Sequence, residues 1–286
     1  MVLTAIDRRR ALRTRPRSRR APVLSSLGVV VALVGTLVPL LYLLAVSLMS
    51  QGEVSAGVLV PHDPAWHNWS DALAGGVVVR GVLNSLSAGI VGALLTLLFA
   101  LPAAWAMVRS GTGGRTLAGT ILSPWLLPPI VAVVPIFALL RALHLNNTLP
   151  GLVLVYAFAN TAVAVWSLEG FVRRIPAEID EAAQLDGAGP LRVLVRIVTP
   201  LLAPGLIAVG VIVAVLNYHE FVLATFLTQG PESQTMPVVL ANLLGERVQN
   251  YGKIAAASIM AVIPVFAIAV LLQRWLVAGL TSGSGR

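Results

Sequence analysis

Six stretches free of acidic and basic residues, at about 23–49, 82–108, 116–140, 149–168, 201–219 and 254–273, dominate this chain and leave it few ways to fold. A helix needs about 20 apolar residues to cross the hydrocarbon core of a bilayer. Lipid offers no partner to a backbone amide, so runs of this kind are stable only as helices that satisfy their own hydrogen bonds. The expected fold is all-α: a polytopic membrane protein with six transmembrane helices in a single domain, 23–286, behind a tail at 1–22. Composition agrees, since 57% of residues are hydrophobic and only 11% charged. An ordinary soluble globule carries about twice that share of charge.

The net charge of +8 at first suggests a nucleic-acid partner. Its location argues otherwise. Eight arginines fall within the first 20 residues against Asp7 alone, so the body of the chain is almost neutral. With the N-terminus inside, the segments 1–22, 109–115, 169–199 and 274–286 hold 16 arginines, and those at 50–80, 141–148 and 219–253 hold four Lys plus Arg. Basic residues accumulate on the cytoplasmic side, so both termini are expected there, in a bacterial cytoplasmic membrane, and no nucleic acid is expected to bind. The arginine tail fixes orientation and suits anionic lipid. A cleaved signal peptide is disfavoured, because the first apolar run is too long for one and further spans follow.

Several chemistries drop out. Without cysteine there are no disulfides, thiolate metal sites or thiol nucleophiles. His62 and His67 flank Asp63 without a third group at ligand spacing, so no metal is expected. A phosphate loop needs G-x4-G-K-[ST], and the single Gly-Lys pair, Gly252-Lys253, continues with Ile254. The glycine-rich stretch at 110–114 lacks lysine and reads as a turn between spans. No cofactor is expected on this chain, and it is not expected to be an enzyme.

The connection at 169–199 is patterned. Pro176 can open a helix whose early turns carry Glu178, Asp180 and Glu181, favourable at the positive end of the helix dipole. Ile175, Ile179, Ala182 and Ala183 follow helical spacing and predict an apolar face. Gly187-Ala188-Gly189 breaks the chain. Pro190 opens a second helix with Leu191, Leu194, Val195 and Val198 along one side, Arg192 and Arg196 on the other, and Pro200 closing it. A DNA-reading helix-turn-helix does not fit a motif tethered to the bilayer at both ends. A loop lying on the membrane surface and a docking knob for a cytosolic partner both fit the pattern.

These residues carry a resemblance. Glu181-Ala182-Ala183, Gly187, Ile197 and Pro200 match EAA-x3-G-x9-I-x-L-P, the signature loop of permease subunits in binding-protein-dependent ABC importers. Thr199 stands where that pattern has leucine. The stretch at 235–242, with Thr235-Met236-Pro237 and Leu240-Ala241-Asn242, and the one at 273–283 resemble the smaller permease of maltose-type carbohydrate importers. Tyr218-His219-Glu220-Phe221 stands where the family often has Trp-Asn-Glu-Phe.

The resemblance implies a type-1 ABC transmembrane core at about 80–274, alternating access, and a sugar as cargo. It also implies a second, different permease, an ATPase dimer that binds ATP and Mg, and an extracytoplasmic solute-binding protein. Glu181, Ala182, Ala183, Asp186, Gly187, Ile197 and Pro200 would form the ATPase-coupling loop, and Gly279, Thr281 and Gly283 a further ATPase contact. The segment at 228–253 would face the solute-binding protein, or else pack on the bundle as a re-entrant plug.

Polar residues inside spans are costly and worth noting. Tyr156 and Asn160 share a helix face with Thr161 adjacent, and Asn217, Tyr218, His219 and Glu220 cluster at the end of the fifth span. They are candidates for a translocation pathway, and equally for hydrogen bonds between helices. An ion- or proton-coupled secondary transporter using His219 and Glu220 is the rival reading. That class shows buried midspan charges and internal repeats, which the sequence lacks. A non-transporting scaffold leaves the EAA pattern unexplained.

Overall fold

A computed structural model describes residues 20–109 and 128–281, with side chains over 26–109 and 128–273. All regular structure among them is helical. Helix α1 (Arg20–Ser47) is followed by the short α2 (Gln51–Ser55) and α3 (His67–Leu73), and a 3-10 turn at Ala74–Gly76 leads into α4 (Val77–Arg109). Next come α5 (Pro129–Ala142), α6 (Leu149–Ala159), α7 (Thr161–Val172), α8 (Ala177–Leu185) and α9 (Pro190–Val193). A π-helical turn (Leu194–Val198) and α10 (Thr199–Leu201) precede α11 (Ala203–Tyr218), α12 (Val222–Leu227), α13 (Met236–Leu244) and α14 (Tyr251–Thr281).

Among the described residues, four helical stretches are long and apolar enough to cross a membrane: Ser26–Ser47, His67–Arg109, Leu149–Val172 and Tyr251–Gln273. A fifth is reached if the pair Pro190–Leu201 and Ala203–Tyr218, bent by 81°, counts as one. The described part of the expected third span is α5, whose 14 residues are too few to cross alone. The start of that span, the turn at 110–114 and most of the arginine tail lie outside the described residues.

Helix α4 is the strut of the bundle, packing against α6, α7 and α11. The reason is its inward face, where Ser85, Ala88, Gly89, Gly92, Ala93, Ala100 and Ala104 are all buried. Small side chains let helix backbones approach closely where lipid supplies no hydrophobic drive for association. At Gly92 a Cβ atom would sit 2.7 Å from the Asn217 Nδ2. Two of the apolar clusters among the described residues run along the length of α4. One gathers Ala100, Leu168, Val172, Val193, Val198 and Val213 toward its Arg109 end, and the other Ala88, Leu152, Tyr156, Leu223 and Val238 toward its Arg80 end.

The first connecting loop is closed by local hydrogen bonds. Ser50 caps α2 in a reciprocal arrangement with Glu53, whose carboxylate also accepts the His62 amide at 2.9 Å. Those backbone donors, from His62 and then Ser50, hold the Glu53 carboxyl down to about 2. Buried Asn68 donates to the Ser47 and Met49 carbonyls at the end of α1. It also touches the start of α14, where any side chain at Gly252 would collide with it.

Candidate coupling site and the polar network between helices

The EAA segment folds as two short helices around a fixed turn. Pro176, with φ −54° and ψ 135°, stands just outside α8, and Glu178 and Asp180 occupy the first turn. At the other end Gly187 adopts φ +84°, a conformation that favours glycine. Its amide donates to the Gln184 carbonyl at 3.0 Å, and the Ala188 amide reaches back to Ala183 at 2.9 Å. This pair of bonds is the Schellman cap, in which the residues three before and two after the cap also touch through their side chains. Ala183 and Ala188 pack on the same apolar cluster. The spacing from the third EAA residue to the glycine is therefore the spacing of a helix stop. Glu181, Ala182, Asp186 and Gly187 are exposed.

Beyond the turn, Pro190 opens α9 from an extended Gly189. The chain then winds through five π-helical residues, and the Thr199 amide and hydroxyl both reach the Leu194 carbonyl, the hydroxyl at 2.8 Å. The residue that departs from the family leucine thus closes the π turn. Ile197 is half-buried and Pro200 exposed.

Three expectations need correction. Pro200 does not end the second helix. It lies in the first turn of α10, where its missing amide is harmless, and the 81° bend follows at Leu202. On α8, Ile179 and Ala182 face outward, and the buried residue is Asp180, 3% exposed. On the second helix Val193, Leu194 and Val198 are buried, whereas Leu191 and Val195 are exposed, because the π turn rotates the inward stripe away from simple helical spacing.

Asp180 is inward because of Arg109, at the end of α4. The Arg109 Nε and the Trp105 Nε1 both donate to Asp180 Oδ2, the latter at 3.0 Å, and a second Arg109 nitrogen donates to the Ile175 carbonyl at 2.7 Å. Both charged side chains are largely removed from solvent. From sequence, Asp180 reads only as an acid favoured by the helix dipole in the early turns. Its only sequence signal was an arginine ending the second apolar run.

Four of the pathway candidates meet. The Tyr156 hydroxyl donates to a Glu220 carboxylate oxygen at 3.1 Å, and the Asn160 Nδ2 donates to Asn217 Oδ1 at 2.7 Å. Asn217 donates in turn to the Gly89 carbonyl at 3.4 Å. Glu220 also accepts the Leu223 and Ala224 amides, so it caps α12. Tyr218 is buried and donates to the Ala261 carbonyl at 2.8 Å, away from that network. His219 is exposed, its ring edge-on to Tyr218. Thr161, the first residue of α7, donates to the Ala157 carbonyl near the end of α6. Asn160 stands where α6 gives way to α7, so its polar side chain sits at a helix break.

At the Arg80 end two asparagines hold the turn before α13. Asn147 accepts from the Gln229 and Gly230 amides and from the Ser233 hydroxyl, at 2.6, 3.2 and 2.8 Å. Asn84 donates to the carbonyls of Glu232 and Gln234 at 3.2 and 2.9 Å. From sequence, neither asparagine is assigned a role. Helix α13 itself buries Met236, Val238 and Val239, the last beside Val78, so this part of the segment packs on the bundle. Gly279 and Thr281 lie in the last turns of α14, and Gly283 is outside the described residues.

A helical bundle whose two-helix knob is stopped by a Schellman turn and fastened to its central strut defines a membrane permease of the ABC-importer type. Residues 92–282 match the model of a family described as binding-protein-dependent transport system inner membrane component. The chain belongs to this family, within the branch of sugar ABC-importer permeases. It is 33% identical to the trehalose transport system permease protein SugB of Mycobacterium tuberculosis, over 87% of this chain and 92% of that one. It is 30% identical to the melibiose/raffinose/stachyose import permease protein MelC of Bacillus subtilis, over 94% and 98% respectively. The fold is that of a chain in a bacterial ABC transporter that imports the polysaccharide alginate, at a TM-score of 0.75, 22% identity, and coverage of 92% of this chain and 99% of that one.

Proposed function

We propose that this chain is one of two different permeases in an ATP-driven importer that carries a sugar or related carbohydrate into a bacterial cell. Six spans, with both termini in the cytoplasm, would surround half of a central pathway that opens alternately to either side. Two copies of a separate ATPase subunit supply the energy, binding ATP and Mg themselves. This chain performs no covalent chemistry. An extracytoplasmic binding protein delivers the solute.

The carrying observation is the exposed turn at 181–187. Its helix stop is built into the backbone, and Asp180 fastens it to the central helix, as a rigid lever between ATPase and bundle requires. Glu181, Ala182, Ala183, Asp186, Gly187, Ile197 and Pro200 are proposed to make or shape the ATPase contact, with Gly279, Thr281 and Gly283 adding to it. Carbohydrate as the cargo class is supported by relatives named for trehalose and for melibiose, raffinose and stachyose. Tyr156, Asn160, Asn217, Tyr218, His219 and Glu220 remain the proposed pathway group, with exposed His219 the member freest to meet a solute.

The test is uptake of labelled trehalose, maltose and raffinose into vesicles containing the complete complex and its co-encoded binding protein. Uptake should require ATP and survive collapse of the proton gradient. Uptake driven by the gradient without ATP would establish the secondary-transporter reading instead.

A further inference from the structure

Of the nine residues in α8, only Asp180 is buried. The isoleucine and first alanine that could have formed an apolar seat, Ile179 and Ala182, face outward. Beside the apolar contact of Ala183, the knob's first helix is held to the bundle by a carboxylate, and that carboxylate meets Arg109 from 71 positions earlier in the chain. Arg109 spans the junction, because it also binds the carbonyl of Ile175 just before α8 begins. Trp105, one turn earlier on α4, supplies a second donor to the same Asp180 oxygen.

A buried ion pair is a poor source of stability, since removing both charges from water costs about as much as their attraction returns. Its advantage over an apolar contact is direction. Apolar surfaces slide across one another, whereas a charged pair with fixed hydrogen bonds transmits both push and pull.

We propose that the Asp180–Arg109–Trp105 cluster is a force-bearing latch, and that Asp180 and Arg109 are positioning residues through which motion of the coupling helix reaches α4. Helix α4 packs on α6, α7 and α11, so displacing it moves the rest of the core. The proposal rests on the importer reading above and adds the route by which the ATPase would drive the bundle.

The test compares Asp180→Asn, Arg109→Gln and the double variant in the full complex with its binding protein. The readout is labelled trehalose, maltose and raffinose imported per ATP hydrolysed. Each single variant leaves one buried charge unpaired, so both should assemble less well. The double variant removes both charges and should recover assembly, measured by co-purification of all subunits, yet import at least about fivefold less sugar per ATP than the unaltered complex.

A double variant with an unaltered ratio would show a purely structural pair and overturn the proposal. So would a double variant that fails to assemble, since the pair would then be a folding element. If the unaltered complex shows no ATP-dependent uptake of any of the three sugars, the importer reading falls, and the latch with it.

Discussion

Asn160 and Asn217 meet side chain to side chain inside the bundle, the Asn160 amide nitrogen lying 2.7 Å from the Asn217 oxygen across 57 positions of sequence. Asn160 stands at the break between α6 and α7, and Asn217 at the last turn of α11. The bond therefore ties an interruption in one helix to the end of another. Hydrogen bonds between membrane helices contribute about 0.6 kcal/mol on average and up to about 1.7. In a double-mutant cycle of Asn160→Ala and Asn217→Ala, followed by thermal unfolding in detergent, a coupling of about 1 kcal/mol is expected. Strict additivity of the two substitutions would remove the bond from the account of stability.

Gly92 lies directly beneath that pair. A methyl group there would meet Asn217 Nδ2 at 2.7 Å and the Tyr156 Cβ at 3.6 Å. Gly92→Ala should part α4 from α11 and cost about 1–3 kcal/mol, the usual range for overpacking a close-fitted interior. A lowered melting temperature checks this. An unchanged one would mean that the asparagine swings aside freely.

Gly187 presents the opposite case. No atom lies within 4 Å of where its Cβ would be, but its φ of +84° penalises any other residue. Gly187→Ala should therefore loosen the turn by about 1 kcal/mol, and Gly187→Asn by less, because asparagine tolerates left-handed backbone. ATP-dependent uptake should follow the order Gly, Asn, Ala. Equal loss in both variants would point to direct contact by the glycine surface instead of backbone geometry.

Glu53 should govern the acid tolerance of the first loop. Its carboxyl titrates at about 2, below the ordinary 4.5, so its contribution is complete above about 4.5 and disappears as pH falls through about 2. The loop is accordingly expected to stay closed at pH 4, with the His62 amide protected from hydrogen exchange, and to open nearer pH 2. Glu53→Gln should expose that amide at neutral pH. Carbon-13 titration of the carboxyl would detect a midpoint near 4.5 if the capping bonds contribute nothing.

The runs at 23–49, 82–108, 149–168 and 254–273 were legible because a bilayer demands length and apolarity, and both are local properties. The stop at Gly187 was legible for a similar reason: the Schellman cap closes within six residues. Pro200 misled because a proline at the start of a helix and one after its end look alike in sequence. Ile179 and Asp180 misled because periodicity assigns the inward face to the apolar residue, whereas here the distant Arg109 made burial of its acidic neighbour favourable. Asn84 and Asn147 each gather backbone groups of a turn that only folding brings near, so the sequence assigned neither a role.

The sequence alone determined the solvent of the chain, its helical class and the stop between the knob's two helices, since each follows from contacts within a few residues or from summed hydropathy. The tertiary structure alone decided what the knob is fastened to, where the fifth apolar run bends, and which polar groups spend their hydrogen bonds on one another. The physical reason is the cost of an unpartnered polar group in an apolar interior. That cost is met by whichever donor or acceptor folding brings close, and for Asp180, Asn217 and Tyr156 the partner lies more than 50 residues away.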